Sequence, residues 1–156
     1  MLRSMSEIPG ARMSFDVSEL VDELDRSASM VTRRQGAILF HSGDPVAGVF
    51  IVRKGALRMS LGVPSELYPA RILGPGAIAG LPATLTGHYS LTAEVAAPDA
   101  ELGFVPSPRV AELLESSPRL CFLAMRFISE EIARVRAALK DMPAAEGTEL
   151  ESEAAE

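Results

Sequence analysis

The chain has 156 residues, 47% of them hydrophobic, with 15 basic against 21 acidic side chains, a net charge of -6 and one cysteine. That length suits one globular unit with tails. A lone thiol excludes an internal disulfide framework, and the acidic balance opposes direct contact with a polyanion such as nucleic acid.

In chain order, residues 1–12 mix Ser, Gly and Pro without a period, which predicts a flexible leader. The opening M-L-R-S-M-S-E-I-P-G holds no secretory apolar run, and no later segment is apolar over the length of a bilayer, so no membrane partner and a cytoplasmic location are expected. A single domain is expected over 13–142. It begins with a short helix, because Phe15, Val17, Leu20, Val21 and Leu24 recur at helical spacing and Asp16 or Ser18 offers a cap.

From Val31 to Val105 brief runs of Val, Ile, Leu and Phe alternate with Gly, Pro, Asp and Ser, the pattern of many short strands. Strands are predicted over 37–40, 49–53, 57–61, 67–73, 91–96 and 101–105. The breaks Ser42-Gly43-Asp44-Pro45, Lys54-Gly55, Gly62-Val63-Pro64, Gly74-Pro75-Gly76 and Ala97-Pro98-Asp99 supply turn chemistry. Connections this short require antiparallel pairing. The fold class is therefore mainly β with flanking helices, an antiparallel jelly-roll-like sandwich or barrel followed by a long C-terminal helix.

Beyond Pro106 the period changes. Val110, Leu113 and Leu114 mark a short helix, Ser116-Ser117-Pro118 breaks it, and a long helix is predicted over 119–142, where Pro143 stops it. On that helix Cys121, Met125, Ile128, Ile132, Val135, Leu139 and Met142 alternate spacings of four and three, an a/d seam that predicts a homodimer. Cys121 is expected as a buried thiol. Leu120, Leu123, Ala124 and Phe127 form another apolar face that would pack on the sandwich. Residues 143–156 carry Glu146, Glu149, Glu151, Glu153 and Glu156 among small residues, the composition of a disordered acidic tail.

The segment from Gly76 to Glu101, G-A-I-A-G-L-P-A-T-L-T-G-H-Y-S-L-T-A-E-V-A-A-P-D-A-E, resembles the phosphate-binding cassette of cyclic-nucleotide-binding domains. Its neighbours agree in order and spacing. Gly36 to Asp44 resembles the opening hairpin of the catabolite-activator and FNR type of bacterial regulator, Val49 to Gly55 its aromatic-containing strand, and Leu73 to Gly76 the strand leading into the cassette. The likeness spans roughly Phe15 to Met142. It implies a ligand site at Ala79, Gly80, Leu81, Pro82, Ala83, Thr84, Tyr89, Ser90, Leu91 and Thr92, bounded in part by the inner face of the long helix. It also implies two losses: Gly80 stands where the family usually has a glutamate for the ribose hydroxyl, and Ser90 where it usually has the phosphate-pairing arginine.

In such a cassette the N–H groups of a short helix face an anion, and Pro82 suits its first turn. A bidentate guanidinium is hard to replace with a single hydroxyl, and Leu81 to Val95 contains no Arg or Lys. His88 and Tyr89 are the nearby polar rings; either can line a pocket, and exposed loop residues on a turn are the commoner outcome.

The leading functional expectation is a stand-alone regulatory sensor, dimeric, with no cofactor and with a cyclic nucleotide or other small anionic effector. The alternative is an oligomerisation or docking module with a vestigial pocket and an unknown protein partner. An effector domain of a transcription regulator ranks lower, since the residues after Pro143 are few and acidic. An enzyme of the metal-dependent cupin type ranks last. His41 and His88 are the only histidines, Asp44 and Glu94 have bland explanations, and no catalytic or metal-binding set is identified.

Overall fold

The computed structural model describes residues 17–61 and 70–140. The expected leader, the expected tail and the start of the strand expected over 67–73 lie outside the described residues. Within them the order is α1 (Ser18–Arg26), β1 (Ser29–Arg34), β2 (Ile38–Phe40), β3 (Gly48–Lys54), β4 (Leu57–Ser60), β5 (Arg71–Leu73), β6 (Ile78–Ala79), α2 (Ala83–Thr86), β7 (Thr92–Val95), β8 (Asp99–Pro106), α3 (Ser107–Ser116) and α4 (Pro118–Lys140).

The strands form two four-stranded sheets, β1-β8-β3-β6 and β2-β7-β4-β5, and every ladder is antiparallel. Among the described strands only β4 and β5 are both consecutive and paired; every other connection carries the chain from one sheet to the other, so most strands pair with one distant in sequence. The sandwich class expected from the strand spacing is the observed one.

Side-chain alternation along β3 separates two cores. Val49 and Ile51 face the helices, in a cluster with Leu20, Leu24, Val105 and Val110. Val52 faces the inside of the sandwich, with Leu57, Val95, Ala100 and Leu102. The β1-β8-β3-β6 sheet is thus covered on both faces. Gly103 is small for a reason: a Cβ there would lie 2.8 Å from Asp25 Oδ1 and 2.9 Å from Ala28 Cβ. The end of α1 packs directly on β8, and the Arg53–Asp25 ion pair at 2.8 Å ties it to β3.

Strands β1 and β6 were not anticipated. In β1 only Val31 is even partly shielded, so the strand has no inward–outward alternation for a sequence pattern to reveal. It forms because β8 offers an edge from Ser29↔Phe104 to Arg34↔Asp99. Strand β6 has two residues, held by Phe50↔Ala79 and Ile51↔Ile78. At the other end of the chain Ser117 caps α4, its Oγ accepting from the Leu120 N–H at 3.2 Å and its carbonyl from the Cys121 N–H at 2.9 Å. Pro118 in the first turn, where no N–H is needed, completes the start.

The long helix uses its faces differently from the a/d expectation. Leu120, Leu123, Ala124 and Ile128 are buried in the helix-side core, with Phe127 and Ile132 packed against it. Ile128, 7% exposed, belongs to the chain's own core, so it is not available to a seam. Met125, 61% exposed, and Phe122, 58% exposed, face outward. Cys121 is half-buried rather than buried. The side chains of Val135 and Leu139, and the whole of Met142, lie outside the described part.

Candidate functional site

The site begins with the turn from β5 to β6. Gly76 takes φ 91°, and its N–H donates to the Val52 carbonyl while the Val52 N–H donates to Ala77, which anchors the turn on β3. After β6 the backbone bends again at Gly80, φ 94°. A Cβ at Gly80 would stand 2.9 Å from Tyr89 Cε1 and 3.3 Å from the Gly48 carbonyl. Left-handed backbone and blocked space together demand glycine. Gly80 therefore suits the bend of this chain, where any side chain would be strained.

Tyr89 departs from expectation. It is 4% exposed, stacked on Phe40 with centroids 3.6 Å apart. Its hydroxyl donates to the Gly48 carbonyl at 2.6 Å and accepts from the Ala47 and Gly48 N–H groups at 3.1 Å. One phenol thus pins the α2–β7 loop to the start of β3. His88 is exposed as expected, and its backbone bridges to Pro45. Asp44 is a turn residue, Oδ2 accepting from the His41 N–H at 2.9 Å.

The short helix does not offer the donors expected of it. The N–H groups of Ala83, Thr84, Leu85 and Thr86 donate to the carbonyls of Gly80, Leu81, Pro82 and Pro82 at 3.0–3.2 Å. These groups are consumed within the turn, which removes them as an anion cradle. Leu81 is wholly buried in the helix-side core and acts as the peg that seats the bend.

Above this turn lies a cavity of about 350 Å³. Of the residues expected at the ligand site, Gly80, Pro82, Ala83, Tyr89, Ser90 and Leu91 line it. Ala79, Leu81, Thr84 and Thr92 do not: Ala79 sits in the inner core, the Thr84 hydroxyl donates to the Leu81 carbonyl at 2.6 Å, and Thr92 Oγ1 accepts from the Ser42 N–H at 2.9 Å. The sandwich contributes Phe40, Met59, Leu73 and Ile78, and α4 closes one side with Phe127, Glu131, Ile132 and Arg136. Most of the lining is apolar.

The charge comes from where the local sequence shows none. Arg71 of β5 reaches the cavity and its Nη1 donates to Glu131 Oε1 at 3.1 Å. Glu131 Oε2 meanwhile accepts from Arg134 Nη1 at 2.7 Å, three residues along the same helix. Arg136 also lines the cavity. The expectation of a cavity without positive side chains is thereby overturned: two arginines line it, one 60 residues from its helical partner. The available signal was period two, which places Arg71 on the same face of β5 as Leu73. On α4 Phe127 and Glu131, and likewise Ile132 and Arg136, are four residues apart and so stand one above the other on the helix.

A family model described as "Cyclic nucleotide-binding domain" matches residues 17–117. The chain belongs to the cyclic-nucleotide-binding domain family. It is 32% identical over 127 residues to the "Transcriptional activator protein anr" of Pseudomonas aeruginosa, an alignment covering 78% of this chain and 52% of that protein. The chain thus spans about half the length of this curated relative. Among solved structures it is similar to the Thermus thermophilus Catabolite Activator Protein, at 25% identity and TM-score 0.60, covering 80% of this chain and 57% of the other. It also resembles a Thermotoga maritima transcriptional regulator, at 20% identity and TM-score 0.60, covering 80% and 95%. These relatives place the cyclic-nucleotide-binding domain in the catabolite-activator and FNR type, as the cassette and its flanking strands implied. In this cyclic-nucleotide-binding domain the arginines that line the cavity, Arg71 and Arg136, stand on β5 and α4.

Proposed function

We propose that the chain is a regulatory domain that senses a small molecule in the cavity above the cassette turn and reports occupancy through α4. The observation that carries this reading is the shared wall: Phe127, Glu131, Ile132 and Arg136 line the space an occupant would fill. A ligand in contact with them changes the free energy of the helix position by whatever it gains or loses there. The volume lies within the range of small-molecule sites, and the small side chains of Gly80, Ala83 and Ser90 leave it open.

With Ser90 at the cassette position, a cyclic phosphate in the usual pose meets a hydroxyl in place of the usual bidentate guanidinium, and the cations of the cavity stand instead on β5 and α4. The effector is therefore a small anion other than cyclic AMP or cyclic GMP bound in the usual way. Output passes through self-association along α4, where Phe122 and Met125 stand exposed and Arg126 lies 5.8 Å from the Phe122 ring centroid. The role is regulatory and non-catalytic. Hydrogen exchange along α4, measured with and without ligands that raise the melting temperature, tests the proposal. Altered exchange over 127–136 is expected; a stabilising ligand that leaves those amides unchanged refutes the link between cavity and helix.

A further inference from the structure

The sensing proposal leaves open what grips the effector, and the cluster at the helix side of the cavity answers it. We infer that Arg71 is the anion anchor of this site, that Glu131 holds it in the empty state, and that the ligand is an amphipathic monoanion with a carboxylate head and an uncharged apolar body. This inference rests on the sensing reading and adds the ligand class and the exchange that accompanies binding.

Three observations lead there. First, the cavity is apolar along Phe40, Met59, Leu73, Leu91 and Phe127, with its charged side chains gathered at Arg71, Glu131 and Arg136. A ligand matched to such walls carries its charge at one end, because burying an ionised group against apolar side chains is strongly unfavourable. Second, the lining charges sum to one positive, from two guanidinium groups and one carboxylate. A single negative charge balances them.

Third, the Arg71–Glu131 pair is built for exchange. It is part-buried, and among the described residues Arg71 Nη1 donates to Oε1 of the carboxylate at 3.1 Å. The other oxygen, Oε2, is already held by Arg134 at 2.7 Å. When a ligand carboxylate takes Arg71, Glu131 keeps a cationic partner and no buried charge is orphaned, which is the condition under which such an exchange is affordable. Arg71 is on β5 and Glu131 on α4, so the exchange replaces a direct strand–helix tie with a ligand. Arg136 also lines the cavity.

The test compares decanoate, used below its micellar range, with decanol and cyclic AMP, by calorimetry on the whole chain and on single variants. Decanoate is expected to bind at least ~10-fold more tightly than decanol, since a charge-assisted pair is the difference between them. Arg71→Gln should weaken decanoate ~10-fold or more, with Arg71→Lys recovering part of the loss and showing that the fold is intact. Glu131→Gln should act in the opposite direction and tighten decanoate severalfold, because Arg71 is then already free. A pair that serves structure alone would not split its two members in sign.

Decanol binding as tightly as decanoate overturns the anchor. So does an Arg71→Gln variant with unchanged decanoate affinity, or a Glu131→Gln variant that weakens it. Cyclic AMP binding that alters α4 exchange while decanoate fails to bind overturns the carboxylate class and leaves the sensing reading standing. If decanoate binds through Arg71 but α4 exchange is unaltered, the anchor holds and the sensing reading falls.

Discussion

Replacing Tyr89 with phenylalanine removes one oxygen and leaves the ring, so it isolates the pin that holds the cassette loop to β3. The hydroxyl makes three hydrogen bonds, to the Gly48 carbonyl and from the Gly48 and Ala47 N–H groups. Those to Gly48 are buried, while that to Ala47 is only part-buried and open to replacement by water. A buried polar group stripped of its partner costs about 1–3 kcal/mol, so the Gly48 contacts set an expected loss of about 2 kcal/mol. Stacking on Phe40 survives, which keeps the effect below the ~3–5 kcal/mol of a full aromatic truncation to alanine. For a chain of this size the loss lowers the melting temperature by about 4–8 °C. Urea denaturation monitored by circular dichroism measures it, with the slope unchanged between the two proteins. A change below ~0.5 kcal/mol, the size of an ordinary surface substitution, would refute the claim that the phenol pins the two loops.

Other expectations follow from the same geometry. Gly80→Ala places a Cβ against Tyr89 in left-handed backbone and should cost about 1–2 kcal/mol from conformation alone, more from the clash; wild-type stability in thermal denaturation would contradict it. Leu20→Ala, at a site wholly buried between α1, β3 and α4, should destabilise by about 2–5 kcal/mol, read from the same urea curves. By contrast Glu19→Gln, which breaks an exposed pair with Arg119, should change stability by less than ~1 kcal/mol. Replacing Met125 with glutamate on the outward face of α4 should shift sedimentation toward monomer without lowering the monomer's melting temperature. Wild-type protein that sediments as a monomer at tens of micromolar would remove self-association from the proposal.

Much of the architecture is already present in local chemistry. Strands β2, β3, β4, β7 and β8 and helices α3 and α4 follow from short apolar runs, helical spacing and glycine turns, because backbone dihedral preferences and the alternation of side chains act within a few residues. The cassette bend is legible for the same reason, since positive φ restricts Gly76, Gly80 and Gly87 whatever lies around them. What the bend is for is not legible locally. That Gly80 sits at a tight approach depends on Tyr89 and Gly48, which tertiary packing brings beside it. The two apolar faces of α4 are likewise indistinguishable by periodicity, and only the position of the β1-β8-β3-β6 sheet decides that Ile128 turns inward while Met125 turns out. The charge of the cavity is the extreme case. Sequence determined that the cassette itself contains no Arg or Lys; only the folded chain, by bringing Glu131 of α4 to Arg71 of β5, decided that Arg71 and Arg136 would line the site, since electrostatic partnership depends on distance through space rather than on separation along the backbone.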